Sequence, residues 1–266
     1  MENLKQKAEK IKIIFFDIDD TLRVKNTGFM PDSIHRVFET LRQKGIMTGI
    51  ATGRNFYGIV PEVRALNPDF FVTANGSYVV DQTEQVLYNH PLDKALVKEI
   101  ISWLKAEQVD YVFYGRDQVI ASDWHDLIAE AITKVYGRLK VEPEYHLTHD
   151  VYQILTMSER DDQLVLPEKL ASQIRMVRWH PHSSDIVSLA GSKADGVSRV
   201  LDKLNLNPEN VMNFGDELND LELFELGGLS VAMKVSHPKI LARADYVTDT
   251  VENDGIEKAL KRLGIL

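Results

Sequence analysis

Residues 12–16, Lys-Ile-Ile-Phe-Phe, form an apolar run that stops abruptly at Asp17-Ile18-Asp19-Asp20. A run without polar alternation suits a strand buried on both faces of a parallel sheet. Parallel strands need crossover connections, and the sequence supplies them. Ile34, Val37, Phe38 and Leu41 recur at helical spacing, behind Pro31 and ahead of Gly45. Ile46–Ala51 reads as a second strand and stops at Thr52-Gly53-Arg54. Phe56, Ile59, Val60, Val63 and Leu66 give a further helical stretch, started or kinked by Pro61, and Phe70–Thr73 reads as a third strand. This alternation predicts an α/β fold built on a doubly wound, mostly parallel sheet. Right-handed crossovers bring the strand C-termini to one edge, where ligands bind in such sheets. Asp17 and Thr52 are therefore expected at that edge.

From about residue 82 to 185 the texture changes. Short strand-like pieces (Val86–Tyr88, Tyr111–Tyr114, Val119–Ala121, Tyr152–Met157, Met176–Trp179) mix with two helical patterns, Leu92–Leu104 and Leu127–Val135. We read residues 82–185 as an inserted α+β domain of ordinary size. The flanking stretches, residues 1–81 and 186–266, are read as one core domain. In the second of them, Val197, Val200, Leu201 and Leu204 are helically spaced, and Val211–Phe214 reads as a strand ending at Gly215-Asp216. A helix through Leu218, Leu221 and Phe224, strands at Leu229–Met233 and Tyr246–Thr248, and a closing helix through Ile256, Ala259, Leu260 and Leu263 complete the expectation.

Composition narrows the function classes. The chain holds 31 basic and 40 acidic residues, a formal net charge of −9, which on average repels nucleic acid and anionic membranes. Cysteine is absent, so disulfides, thiolate zinc sites and thiol nucleophiles are excluded, and a reducing cytoplasm fits. The N-terminal MENLKQKAEK is too polar for a signal peptide and reads as a short solvated helix or arm. No stretch approaches the roughly 20 apolar residues that span a bilayer.

Four groups of residues could carry chemistry. Asp17 and Asp19, two apart at a strand end, can share one small volume and offer hard oxygen ligands to Mg²⁺; the alternative is a helix cap or acidic turn. Asp216, in Gly215-Asp216-Glu217-Leu218-Asn219-Asp220, either completes that metal site or caps a helix. Thr52 with Gly53 offers a hydroxyl and free backbone N–H groups to a phosphate. Lys193, in Gly191-Ser192-Lys193, is by itself an ordinary solvated lysine.

Together, and in this order, these motifs resemble the haloacid dehalogenase-like superfamily. The chain is similar to its Cof-type phosphatases, the branch with a large type-II (IIB) cap between the hydroxyl and lysine motifs. DxDxT at Asp17, ATGR at Thr52, ANGS at Asn75, SKADGV at Lys193, GDxxND at Asp216, VAM at Met233 and NDG at Asp254 carry the resemblance over nearly the whole chain. It implies a Rossmann-like core with an inserted cap and a Mg²⁺-dependent phosphatase of small phosphorylated metabolites such as sugar phosphates, flavin mononucleotide or pyridoxal phosphate. Asp17 would attack phosphorus and become an aspartyl-phosphate. Asp19 would act as general acid and base. Thr52 and Lys193 would hold phosphoryl oxygens. Asp17, the backbone carbonyl of Asp19 and Asp216 would ligate Mg²⁺. Asn219 would help bind phosphate, and Asp220 would orient Lys193 or the metal loop. Arg54 would steer an anionic substrate or form a salt bridge. Asn75-Gly76 suits a hairpin turn and a substrate contact alike.

Two departures stand out: Asp20 lies where many relatives have glycine, and Lys234-Val235-Ser236 follows Met233. In the insert, His125, His180, His182 and Trp124 are candidates to meet the substrate, although Trp124 and Trp179 suit the hydrophobic core of the insert better than a substrate platform. Two rival readings remain, a phosphomutase or phosphotransferase of the same superfamily and a non-catalytic, receiver-like phospho-ligand module.

Overall fold

The computed structural model describes residues 2–266. Its first sheet has eight strands: β1 (Ile13–Phe16), β2 (Met47–Ala51), β3 (Phe70–Thr73), β4 (Tyr78–Asp81), β5 (Val86–Asn89), then, after six strands of a second sheet, β12 (Val211–Gly215), β13 (Leu229–Ala232) and β14 (Tyr246–Val247). Their order is β14-β13-β12-β1-β2-β3-β4-β5. Pairing is parallel from β14 through β3, and β4 turns back antiparallel on β3. The chain winds outward from β1 to β2 and β3, then returns to lay β12 on the other side of β1. The order therefore reverses between β1 and β12, and the edge past their C-terminal ends is the place where such sheets bind ligands.

β1 is buried along its whole length. Its alternating side chains serve both faces of the sheet. On one face the Phe16 ring lies 5.0 Å from Phe38 of the helix Ser33–Gln43 and stacks 5.2 Å from Phe214. On the other, Ile13 and Phe15 join Val197, Val200 and Leu201 of the helix Lys193–Leu204 in one apolar cluster. Helices thus cover both faces, the doubly wound arrangement expected from the unbroken apolar run.

The second sheet comprises β6 (Asp110–Tyr114), β7 (Val119–Ala121), β8 (Lys140–Val141), β9 (Gln153–Met157), β10 (Ile174–His180) and β11 (Ser183–Ser188), in the order β10-β11-β9-β6-β7-β8. It is antiparallel except for β7 with β8. Phe113, Ile154 and Ile186 pack on one face with Ile100 and Leu104 of the helix Lys94–Ala106. Val112, Tyr114 and Leu155 pack on the other with Ile128 and Ile132 of the helix Asp126–Tyr136. Asp161 is fully enclosed here. It accepts from Thr156 and, at 2.6 Å, from Ser184, and it pairs with Arg178 at 3.4 Å.

Contacts divide the chain into two compact units, one of residues up to Gly53, Val60–Tyr88 and Ser192–Leu266, the other of Arg54–Ile59 and Asn89–Gly191. Residues 82–88, expected with the insert, lie in the first unit because β5 extends the first sheet. Ile186–Gly191 lie in the second because β11 runs on to Ser188. Arg54–Ile59 joins the second unit by side-chain bonding: Asn55 Nδ2 donates to the Gly115 carbonyl at 3.1 Å. The single helix expected from Phe56 to Leu66 is instead a 3₁₀ turn (Phe56–Gly58) and one α-turn (Pro61–Arg64). Val60 is extended, with ψ 148°, as the residue before a proline prefers.

Candidate active site

The sheet reversal brings together Asp17, Lys193, Asp216 and Asp220 of the first unit. Asp17 directly follows β1, and its N–H donates to the Phe214 carbonyl at 3.0 Å, which carries the ladder one residue past the strand. Asp216 follows β12. Lys193 opens its helix, N-capped by Ser192, and is wholly buried. Its Nζ lies 3.0 Å from Asp17 and 2.7 Å from Asp220. The other Asp220 oxygen accepts the N–H groups of Asp216 at 3.0 Å and Glu217 at 3.2 Å. Asp220 thus ties the lysine to the loop that carries Asp216. Gly215 must lack a side chain, because a Cβ there would run into the Asp220 carboxylate. Thr21, the last residue of the DxDxT motif, donates to Asp216 Oδ1 at 2.7 Å.

Charge in this cluster is unbalanced. Carboxylate oxygens of Asp17, Asp216 and Asp220 all lie within 4.8 Å of one another, and Lys193 is the ammonium paired with two of them. Burial pushes the Asp17 carboxyl up to about 7; Lys193 opposes the rise, and Asp220 and Asp19 add to it. Burial likewise lifts Asp216 well above the carboxylate range, helped by Asp17 and Asp220 and opposed by the Thr21 hydrogen bond. Burial pulls Lys193 down, but Asp17 and Asp220 outweigh it and hold the ammonium above its ordinary range. Both partners of the Asp17–Lys193 pair therefore bind protons more tightly, as expected where buried negative charge exceeds positive. A hard divalent cation satisfies such an oxygen-only set, so Asp17 and Asp216 fit Mg²⁺.

The hydroxyl and asparagine motifs of the first unit meet one another and the start of the lysine helix. Thr52 follows β2, is buried, and its carbonyl accepts Asn75 N–H at 3.1 Å. A Cβ on Gly53 would press against the amides of Asn75 and Asn219, and Asn219 Nδ2 donates to Asn75 Oδ1 at 3.0 Å. Asn75 and Gly76 both have positive φ, 52° and 93°. Gly76 leaves no room for a Cβ against the Ser192 carbonyl, which pins this turn to the start of the lysine helix. The turn does link β3 to β4, but with Thr73 opposite Tyr78 the loop has four residues rather than the two of a tight hairpin. Asp19, half-buried, forms a bridge with Arg23.

Arg54, although two residues from Thr52, packs in the second unit, where it donates to the Gly58 carbonyl at 2.9 Å. Of the other candidates of that unit, Trp179 and His180 have ring centroids 5.6 Å apart. His125 Nε2 lies 2.9 Å from Asp110. The His180 and His182 rings are 5.6 Å apart. Trp124 and Trp179 pack against the apolar cluster under the helix Asp126–Tyr136. Sequence reasoning missed the Thr21 hydroxyl as a holder of Asp216; its fixed place four residues after Asp17 was the available signal. Among the described residues no helix is long and apolar enough to cross a membrane.

Known proteins resemble this chain over nearly its whole length. A family described as haloacid dehalogenase-like hydrolase matches residues 14–260. A Streptococcus pyogenes serotype M6 protein assigned as a bifunctional phosphatase and peptidyl-prolyl cis-trans isomerase is 49% identical over 99% of this chain. The match spans only 56% of that longer relative. YkrA of Bacillus subtilis, assigned as a phosphatase, is 31% identical over 96% of this chain and 98% of its own length. Among solved structures, a sugar phosphatase of HAD subclass IIB superposes with a TM-score of 0.83 at 26% identity, covering 96% of this chain and 100% of that one.

Proposed function

Because the chain belongs to the haloacid dehalogenase-like hydrolases, in their phosphatase branch, we propose that it hydrolyses small phosphomonoesters with Mg²⁺ through an aspartyl-phosphate on Asp17. One observation supports this reading above the rest: a buried carboxylate, Asp17, held 3.0 Å from a buried lysine at the reversal of the sheet. Asp17 attacks phosphorus in line with the leaving oxygen and forms the acyl phosphate; water then cleaves it and frees inorganic phosphate. Asp19 gives a proton to the departing oxygen and later takes one from the attacking water. Lys193 and Thr52 bind the equatorial phosphoryl oxygens, and Asn219, steadied by Asn75, adds a donor beside them. Asp17, Asp216 and the Asp19 carbonyl would hold Mg²⁺, which supplies positive charge to offset the repulsion between phosphate dianion and carboxylate.

The second unit is the cap of this reading and selects the leaving group; sugar phosphates head the candidate substrates, given the subclass IIB sugar phosphatase among the structural neighbours. The test is release of inorganic phosphate from p-nitrophenyl phosphate and a panel of phosphometabolites, with Mg²⁺ and after chelation. Turnover is expected only with Mg²⁺ and only with Asp17 intact. Full turnover by Asp17→Asn, or transfer of the phosphoryl group to a second metabolite in place of water, would overturn the reading.

A further inference from the structure

The turn after β1 contains a carboxylate to which nothing above gives a task. Asp20 adopts φ +56°, a left-handed conformation that most L residues avoid and that Asp and Asn tolerate better than others. Its N–H donates to the Arg23 carbonyl at 2.7 Å, and its Oδ1 accepts the Lys25 N–H at 2.8 Å. The N–H groups of Leu22 and Arg23 both return to the Ile18 carbonyl at 3.0 Å, and Asp19 bridges to Arg23. Asp20 is half-buried, outside the core. Its carboxylate binds the backbone of this turn.

The consequence falls on Asp19. The peptide unit joining Asp19 to Asp20 is planar and rigid, so the hydrogen bond from Asp20 N–H to Arg23 fixes the plane from which the Asp19 side chain departs. The left-handed bend at Asp20, closed by the tie to Lys25, keeps that N–H aimed at Arg23. Glycine could take the same φ with less strain, but it would leave the bend free to open and would lose the tie.

We propose that Asp20 is a positioning residue: by locking the turn through Lys25 N–H it holds Asp19 in the orientation that proton transfer to the leaving oxygen requires. The proposal rests on the reading of Asp19 as general acid. A group that acts through Asp19 matters only when the leaving group needs a proton. Alkyl phosphates need one, and p-nitrophenyl phosphate departs without it.

The experiment compares kcat/KM for β-glycerol phosphate and p-nitrophenyl phosphate in the wild type, Asp20→Gly, Asp20→Asn and Asp19→Asn, with thermal unfolding alongside. Asp20→Gly should keep the wild-type unfolding midpoint. It should lose about tenfold on the alkyl ester relative to the aryl ester, short of the hundredfold that a 1 Å misplacement can cost. Asp20→Asn keeps both the acceptor oxygen and the tolerance of positive φ, and should restore the wild-type ratio. An unchanged ratio in Asp20→Gly, while Asp19→Asn shows the leaving-group effect, would overturn the positioning role alone. Failure of Asp20→Asn to restore the ratio would also overturn it, since charge rather than the tie to Lys25 would then be responsible. If Asp19→Asn itself lost equally on both esters, the general-acid reading would fall and the proposal with it.

Discussion

Asp17→Asn should make the metal-free protein more stable at pH 8 while abolishing turnover. The cause is the excess of buried negative charge. The Asp17 carboxyl has an ordinary value of 3.8 and is pushed up to about 7 by burial, with Asp220 and Asp19 adding to the rise. A group whose folded pKa is raised contributes stability that is fully present below the unfolded value and is lost as pH rises to the folded one. For Asp17 that window runs from about pH 4 to pH 7. At about 1.4 kcal/mol per pH unit, ionising Asp17 costs the folded state about 4 kcal/mol by pH 8. Asparagine never ionises and avoids this cost. Part of the gain is offset, because the amide can turn its own donor toward Lys193, which still pairs with Asp220 at 2.7 Å; a lost charge-assisted hydrogen bond is worth about 1.5–3 kcal/mol. A net gain of about 2 kcal/mol remains, or roughly 4–8 °C in Tm for a unit of this size.

The assay is thermal unfolding by circular dichroism in excess chelator, at pH 8 and pH 5. At pH 5 the folded carboxyl is protonated and only the unfolded chain ionises, so the advantage of the variant should fall by more than half. A variant that melts at or below the wild type at pH 8, or whose gain is equal at both pH values, would refute the electrostatic argument.

Mg²⁺ should raise the Tm of the wild type and have much less effect on Asp216→Asn, measured by the same melts; an equal rise would remove Asp216 from the metal site. Gly76→Ala should destabilise the protein by about 2 kcal/mol or more, because φ is 93° and the new Cβ meets the Ser192 carbonyl; urea unfolding reads this directly. Asp161→Ala should cost about 3 kcal/mol in the second unit by leaving Thr156, Ser184 and Arg178 without their acceptor. Replacing residues 89–191 with the corresponding stretch of a relative should transfer that relative's ranking of phosphate esters and keep the need for Asp17. Retention of the original ranking would place selectivity in the first unit.

The core strands were legible because each fully buried strand must be apolar on both faces, as Ile13–Phe16 and Phe70–Thr73 are. β11 was not. Its sequence, Ser-Ser-Asp-Ile-Val-Ser, buries two serines at its start, of which Ser184 donates to the enclosed Asp161, and buried hydroxyls leave no apolar signature. The sequence boundary at residue 185 consequently fell inside the strand. Arg54 shows a second limit. Its position after Thr52-Gly53 suggests a phosphate-side role, yet six residues from Arg54 to Ile59 pack with the second unit. Chain neighbours can belong to different units, and only tertiary bonding such as that of Asn55 to Gly115 reveals it.

The candidate site was legible residue by residue, but its energetics were not. Sequence supplies three aspartates and a lysine; it does not say that all four are buried, and burial is the largest cause of the Asp17 and Asp216 shifts. Exposed, the same residues would repel weakly and cost little. Enclosed past the C-terminal ends of β1 and β12, three carboxylates within 4.8 Å of one another share one ammonium, paired with two of them. The fold tolerates that imbalance because the surrounding sheet is over-determined: Phe16, Phe38 and Phe214 pack on one side of it and Phe15 with Val197 and Val200 on the other. A site left short of positive charge in the resting protein gains most when a cation arrives. The same imbalance that should weaken the chelated protein above pH 7 would favour binding of a divalent cation there, and the stability of Asp17→Asn measures how large that reserve is.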